Sequence, residues 1–234
     1  METQNYLIIG GTSGIGAAIS RSLSEAGHQL YIVSRNEPEN LPGGAQHFKA
    51  DILDADTDWS AFLPEALHGL VYCPGTIKLR SFKGMKPAHF EEEFRINVSG
   101  AVAAIHAALR PMQKAGNASV VLFSTVAVQT GLPFHATIAA AKGAIEGLTR
   151  ALAAEFAPSI RFNAIAPSIT NTPLAGRLLD NEKKQEAAAQ RHPLKRFGEP
   201  EDIAQTAIFL LSGQSSWITG QIIHVDGGYG SLKT

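Results

Sequence analysis

The apolar positions of this 234-residue chain alternate between short continuous runs and longer stretches with helical spacing. The first run, Tyr6-Leu7-Ile8-Ile9, is followed by Gly10-Gly11-Thr12-Ser13-Gly14-Ile15-Gly16 and then by Ala17, Ala18, Ile19 and Leu23. That order predicts a buried strand, a tight turn and a helix. Further apolar runs predict strands at 29–33, 48–52, 70–75, 120–123, 160–165 and 221–225. From 88 to 112, Phe90, Phe94, Val98, Val102, Ile105 and Leu109 recur about every fourth residue, which predicts one long helix. Asn97 and Gly100 fall inside it although neither favours a helix interior, so a local rule is broken there. Another helix, rich in alanine and glycine, is expected over 137–156, and Pro200 opens one with Ile203, Ala207, Ile208 and Leu211 on a single face. Strands alternating with helices imply one α/β domain over residues 1–234, a doubly wound parallel sheet of about seven strands with helices on both faces.

The glycine cluster after the first strand has the character of a phosphate cradle. Gly10 permits the sharp exit from the strand, Gly14 lets the backbone approach a ligand, and Gly16 brings helix and sheet together. The free N–H groups of the following helix favour an anion, and a nucleotide pyrophosphate meets these demands. The second strand ends in Ser34-Arg35-Asn36, where a dinucleotide fold presents the adenosine ribose. An acid there would accept from the free hydroxyls of NAD; the chain has Arg35 instead, which either faces solvent or meets the extra phosphate of NADP, and the position favours NADP(H) over NAD(H). Asp51, at the end of the third predicted strand, suits the adenine amino group.

Composition narrows the partners. With 20 basic and 21 acidic residues, well mixed, the chain has no electrostatic footprint for nucleic acid or an anionic membrane, so a small molecule is the expected partner. No apolar run approaches bilayer length. Its single cysteine, Cys73, suits a reducing compartment, and with no signal segment at the start the expected location is the cytoplasm. The eight histidines are scattered, without a helical His-x-x-x-His pair, and no metal site is expected.

In this order and spacing, the glycine loop, Asp51, the helical Asn97, Lys142 in Ala-Lys-Gly-Ala, the run from Arg161 to Pro167 with Thr172 beyond it, Phe197-Gly198-Glu199-Pro200, Ile218-Thr219-Gly220 and Val225-Asp226-Gly227-Gly228 resemble the classical short-chain dehydrogenase/reductase family over nearly the whole length. The resemblance implies a Rossmann-type fold and an oxidoreductase that moves hydride between a nicotinamide cofactor and a small carbonyl-type substrate. It implies that Gly10, Thr12, Ser13, Gly14, Ile15 and Gly16 line the dinucleotide with Ser34, Arg35, Asp51, Ile52 and the turn Cys73-Pro74-Gly75. It assigns Lys142 to the nicotinamide ribose, Pro167, Thr170 and Thr172 to the strip beneath the nicotinamide and towards the phosphates, and residues 174–192 to a substrate lid, although the Glu, Lys and Gln content of that segment equally suits a solvated surface helix. It also implies helix-mediated homodimers or homotetramers.

The departures fall on the chemistry. The tyrosine expected four residues before Lys142 is Ile138, the expected serine aligns with Thr125 beside Ser124, and Ser168 replaces the glycine after Pro167. A threonine hydroxyl keeps the donor and acceptor of serine, but isoleucine has no proton to give. General acid–base help contributes roughly 10²–10⁴ in rate, so its loss matters. Asn97, Thr125 and Lys142 are retained, and His135 combined with Lys142 reproduces the wider spacing of the family's enoyl-acyl-carrier-protein reductase branch, with imidazole in place of phenol. His135 is otherwise a loop histidine after Pro133-Phe134 with no role. Two classes follow: an active NADP-dependent oxidoreductase in which Asn97, Thr125, Lys142 and either His135 or water handle the polar work, or a dinucleotide-binding sensor or partner subunit with little turnover.

Overall fold

Residues 5–9 form β1 (Asn5–Ile9), which lies between β2 (Gln29–Ser34) and β4 (Gly69–Tyr72) and pairs with both in parallel. The computed structural model describes residues 2–54 and 61–233. With β3 (Gln46–Lys49), β5 (Ala118–Phe123), β6 (Ile160–Pro167) and β7 (Ile222–Val225), these strands make a seven-stranded parallel sheet in the order β3-β2-β1-β4-β5-β6-β7. The order reverses at β1, and in open α/β sheets the crevice at the carboxyl ends beside such a reversal is where ligands bind.

Helices cover both faces: α1 (Gly14–Glu25), α2 (Pro87–Phe94), α3 (Gly100–Ala115), the short α4 (Ala127–Thr130), α5 (Ala136–Phe156), α6 (Glu182–Arg191) and α7 (Pro200–Leu211). Side chains alternate along a strand, so β1 sends Leu7 and Ile9 to one face and Tyr6 and Ile8 to the other. Leu7 and Ile9 belong to a core with Ala101, Ile105 and Ala108 of α3 and Ala141 and Ile145 of α5. Tyr6 and Ile8 join Ala18, Ile19 and Leu23 of α1 and Ile203, Ala207 and Leu210 of α7. Burying each large apolar side chain contributes about 1.5–3 kcal/mol, which makes both layers necessary. Among the described residues, no helix is long and apolar enough to cross a membrane, and no group of His, Cys, Asp and Glu could hold a metal ion.

Two expected elements are corrected. The third strand is Gln46–Lys49 rather than 48–52, because pairing with β2 runs from Tyr31↔Gln46 to Ser34↔Lys49. Asp51 then turns the chain, its Oδ1 accepting from the Leu53 N–H at 3.0 Å. The expected single helix from 88 to 112 is two helices, α2 and α3, joined by a π-helical turn over Arg95–Ser99 in which the Gly100 N–H reaches the Arg95 carbonyl. Asn97 lies in this turn; its Nδ2 donates to the Glu93 carbonyl at 2.9 Å, and the Tyr72 hydroxyl donates to the Ile96 carbonyl at 2.7 Å. A Cβ on Gly100 would collide with the Tyr72 hydroxyl. The two poor helix formers therefore have local causes, as π-turns at functional positions commonly do. Between β3 and β4 the described residues contain no helix.

Candidate active site

Ser13 is the N-cap of α1, its hydroxyl caps no N–H, and the first turn carries no acid. The backbone donors at this helix end are thus not taken up by a side chain. A Cβ on Gly16 would collide with the Gly10 carbonyl, so the loop closes on the helix only with glycine there. Opposite, a Cβ on Gly14 would lie 3.2 Å from Thr172, which brings a second wall against the loop. A cleft of about 410 Å³ runs along these walls, lined by Gly10, Thr12, Ser13, Gly14, Ile15, Gly16, Ser34, Arg35, Asp51, Ile52, Cys73, Pro74, Gly75 and Thr172. The uncapped helix end and close backbone fit a dinucleotide diphosphate. Arg35 is exposed and has no hydrogen bond or ion pair among the described residues. Ser34 is engaged: its Oγ donates to the Asn36 carbonyl at 2.8 Å and lies 2.8 Å from His47 Nε2.

A second cavity, of about 480 Å³, adjoins the first at Ile15, Cys73, Gly75 and Thr172. Thr125, His135, Ile138, Lys142, Pro167 and Thr170 line it, so the structure gathers on one cavity residues spread over 46 positions of sequence. Ile138 and Lys142 stand one turn apart on α5, which aims both the same way. Most of the remaining wall is apolar, including Ile77, Leu79, Leu132, Ile169 and Leu174. Ser124 and Thr125 both line the cavity; Ser124 is 3% exposed and its proton is committed to Glu146 Oε1 at 2.7 Å, whereas Thr125 Oγ1 accepts from the Ala127 N–H at 3.4 Å. His135 is the N-cap residue of α5, and its Nδ1 lies 2.7 Å from the Pro133 carbonyl. A carbonyl only accepts, so Nδ1 carries the proton and Nε2 is free.

Behind Gly75 sits a polar cluster. Lys142 is 8% exposed, and burial pushes its ammonium down to about 8, opposed by Cys73 and Glu93. Burial likewise pushes the Cys73 thiol up to about 12, opposed by Lys142. Asn97 and Glu93 are buried on the same side; Thr76 Oγ1 donates to Glu93 Oε2, as does Asn97 Nδ2 at 3.2 Å. Glu93 Oε1 and Asn97 Oδ1 have no hydrogen-bond partner among the described residues. A Cβ on Gly75 would lie 3.3 Å from Asn97 Oδ1 and 3.6 Å from Lys142 Nζ, so a glycine keeps this corner open. The open corner, bordered by an unpartnered acceptor and a cation, fits a polyhydroxylated ribose, which supplies both donors and acceptors.

Several site residues carried no signal in sequence. Glu93 belongs to Glu91-Glu92-Glu93, a run that has the look of a solvated face, yet it is 1% exposed. Tyr229, near the end of the chain, folds back to line the cavity with its ring 5.3 Å from His192. The segment 174–192 packs through Ala175, Leu179 and Ala188 against Ile169 and Phe197, and Leu174, Arg177, Leu178 and Lys184 of it line the cavity.

Comparison with known proteins agrees with this arrangement. Residues 10–230 match the family described as Enoyl-(Acyl carrier protein) reductase. The chain is 35% identical to 2-(S)-hydroxypropyl-CoM dehydrogenase 3 of Xanthobacter autotrophicus, covering 97% of each, and 32% identical to 3-oxoacyl-(acyl-carrier-protein) reductase FabG of Thermotoga maritima, covering 97% of this chain and 98% of that protein. Among solved structures, the ligand-free aldohexose dehydrogenase of Thermoplasma acidophilum superposes with a TM-score of 0.90 at 25% identity over 100% of this chain and 97% of that one. ElxO with NADP bound gives 0.88 at 25% identity, over 99% of this chain and 100% of that one. The parallel sheet, the glycine cradle at its switch point and these relatives together establish that the chain belongs to the short-chain dehydrogenase/reductase family, whose members are oxidoreductases that bind a nicotinamide dinucleotide.

Proposed function

We propose that the chain transfers hydride between NADP(H), in preference to NAD(H), and a small, largely apolar carbonyl-type substrate. The observation that carries this reading is the junction of the two clefts: the glycine cradle opens at Cys73 and Gly75 onto an apolar cavity whose wall presents Lys142 and Thr125. When bound, the reduced nicotinamide supplies the hydride. Gly10 to Gly16 and Thr172 hold the diphosphate, Arg35 pairs with the extra phosphate, and Lys142 with Asn97 holds the ribose. Pro167 and Thr170, which line the cavity, would hold the nicotinamide. Thr125 donates to the substrate oxygen and orients it. His135, protonated, gives the proton from its free Nε2, while Ile138, 4% exposed, adds apolar wall and excludes water.

The test is the oxidation of NADPH and of NADH by the purified protein against a panel of ketones, aldehydes and enones. Turnover with NADPH and a large loss with NADH are expected. A second reading, a dinucleotide-binding protein without efficient turnover, draws on Ile138, which places a side chain without a proton one turn from Lys142. Calorimetric binding of NADPH with no turnover across the panel would establish that second reading. We also propose homodimers or homotetramers: Gly147 on α5 is exposed and a Cβ there would meet open space, leaving room for a close helix from another copy. Light scattering showing a monomer at micromolar concentration would refute the assembly.

A further inference from the structure

Ser168 and His192 meet on the wall of the apolar cavity, with His192 Nε2 2.8 Å from Ser168 Oγ. The other ring nitrogen, Nδ1, lies 2.7 Å from the Ala188 carbonyl. That carbonyl can only accept, so Nδ1 carries the proton of the neutral imidazole and Nε2 is the acceptor. The proton between the two side chains therefore belongs to Ser168, whose O–H donates to Nε2. A hydroxyl has one donor and two lone pairs; with the donor committed, Ser168 turns only an acceptor toward the cavity. His192 is 2% exposed, anchored to the end of α6 and covered by the Tyr229 ring, so the pair is held in place by packing.

We propose that Ser168, oriented by His192, is a subsite for a hydroxyl group of the substrate, and that the substrate is a carbonyl compound with a neighbouring hydroxyl, or the corresponding diol in the oxidative direction. The inference rests on the cavity being the substrate site. Ser168 directly follows Pro167, whose carbonyl accepts from the Val126 N–H at 3.2 Å; the strip carrying Ser168 is thus tied to the one carrying Thr125, and both hydroxyl residues line the same cavity. An apolar ligand would leave the Ser168 acceptor buried without a partner, which penalises substrates lacking the second oxygen.

The experiment measures dissociation constants by ligand-observed NMR, with and without NADP⁺, for trans-cyclohexane-1,2-diol against cyclohexanol and for pentane-2,3-diol against pentan-2-ol. Each diol is expected to bind about tenfold more tightly than its mono-alcohol, the worth of one hydrogen bond. Ser168→Ala should bring the ratio to about one, whereas Ser168→Thr, which keeps the hydroxyl, should retain it. In the ¹⁵N spectrum of His192 the Nδ1-protonated tautomer is expected. A ratio unchanged in Ser168→Ala, no diol preference in the parent, no binding of any of the four, or the Nε2-protonated tautomer would each overturn the subsite. Turnover is followed in parallel: Ser168-dependent diol preference without any NADP⁺ reduction would refute the oxidoreductase reading and leave the subsite standing.

Discussion

Asn97 grips Glu93 twice from inside the π-turn, its Nδ2 donating to the backbone carbonyl at 2.9 Å and to the carboxylate Oε2 at 3.2 Å. The side chain amide is thereby oriented with Oδ1 toward Gly75 and Lys142. Removing it in Asn97→Ala leaves a buried carboxylate and a buried carbonyl each short of a donor, a loss of roughly 1–3 kcal/mol. Chemical denaturation should show that decrease. The double variant Asn97→Ala with Glu93→Gln should recover part of it, because a neutral amide loses less than a carboxylate when one donor is missing; a double variant no more stable than Asn97→Ala would show that the carboxylate is not the group being satisfied.

Lys142 predicts a dependence of stability on pH. The unfolded chain holds its proton up to the usual 10.5, while burial makes the folded chain release it near 8. Between these values the unfolded state binds more protons, so this residue makes stability rise with pH across the window; below 8 the full cost of burying the charge applies. Lys142→Met should therefore stabilise the cofactor-free protein at pH 7, by at most about 3 kcal/mol, and the advantage should fade toward pH 10.5. Melting curves at pH 7 and pH 10 test it, and an advantage that grows with pH would reverse the assignment.

Arg35 stands exposed and unpaired beside the cleft, among the described residues. A charge-assisted contact to the extra phosphate contributes roughly 1.5–3 kcal/mol, so Arg35→Ala should weaken NADPH by about tenfold to a hundredfold and leave NADH nearly unchanged. Calorimetric titration of both cofactors measures it. Equal losses for the two would show that the arginine does not read the phosphate.

His135 and Ile138 lie on the same cavity wall. If the proton comes from His135, His135→Ala should lower turnover by about 10²-fold while NADPH affinity stays within a factor of about two. Ile138→Tyr should raise turnover of simple ketones, because it restores a phenol one turn from Lys142. Unchanged turnover in His135→Ala would remove the histidine from the chemistry.

The architecture was legible in sequence because it depends on local periodicity. Four-residue apolar runs and glycine turns dictate strands that must be buried, and alternation with amphipathic helices leaves few ways to bury them, so the parallel sheet and the cradle at Gly10 to Gly16 follow directly. Asn97 and Gly100 also announced themselves, as residues unsuited to the helix their neighbours predict. The break at Arg95–Ser99 itself was decided by tertiary contact, since the Tyr72 hydroxyl that holds the Ile96 carbonyl comes from another strand. The third strand moved to Gln46–Lys49 because its place is set by register with β2, and a half-exposed edge strand has little apolar pattern of its own. What no local pattern could show is which polar groups end up buried together. Glu93 meets Thr76 from 17 positions away, and His192 meets Ser168 from 24. Burial is a property of the packed molecule, and a carboxylate in an acidic run or a histidine after a surface helix acquires its chemistry only when the fold removes water from around it and supplies a partner.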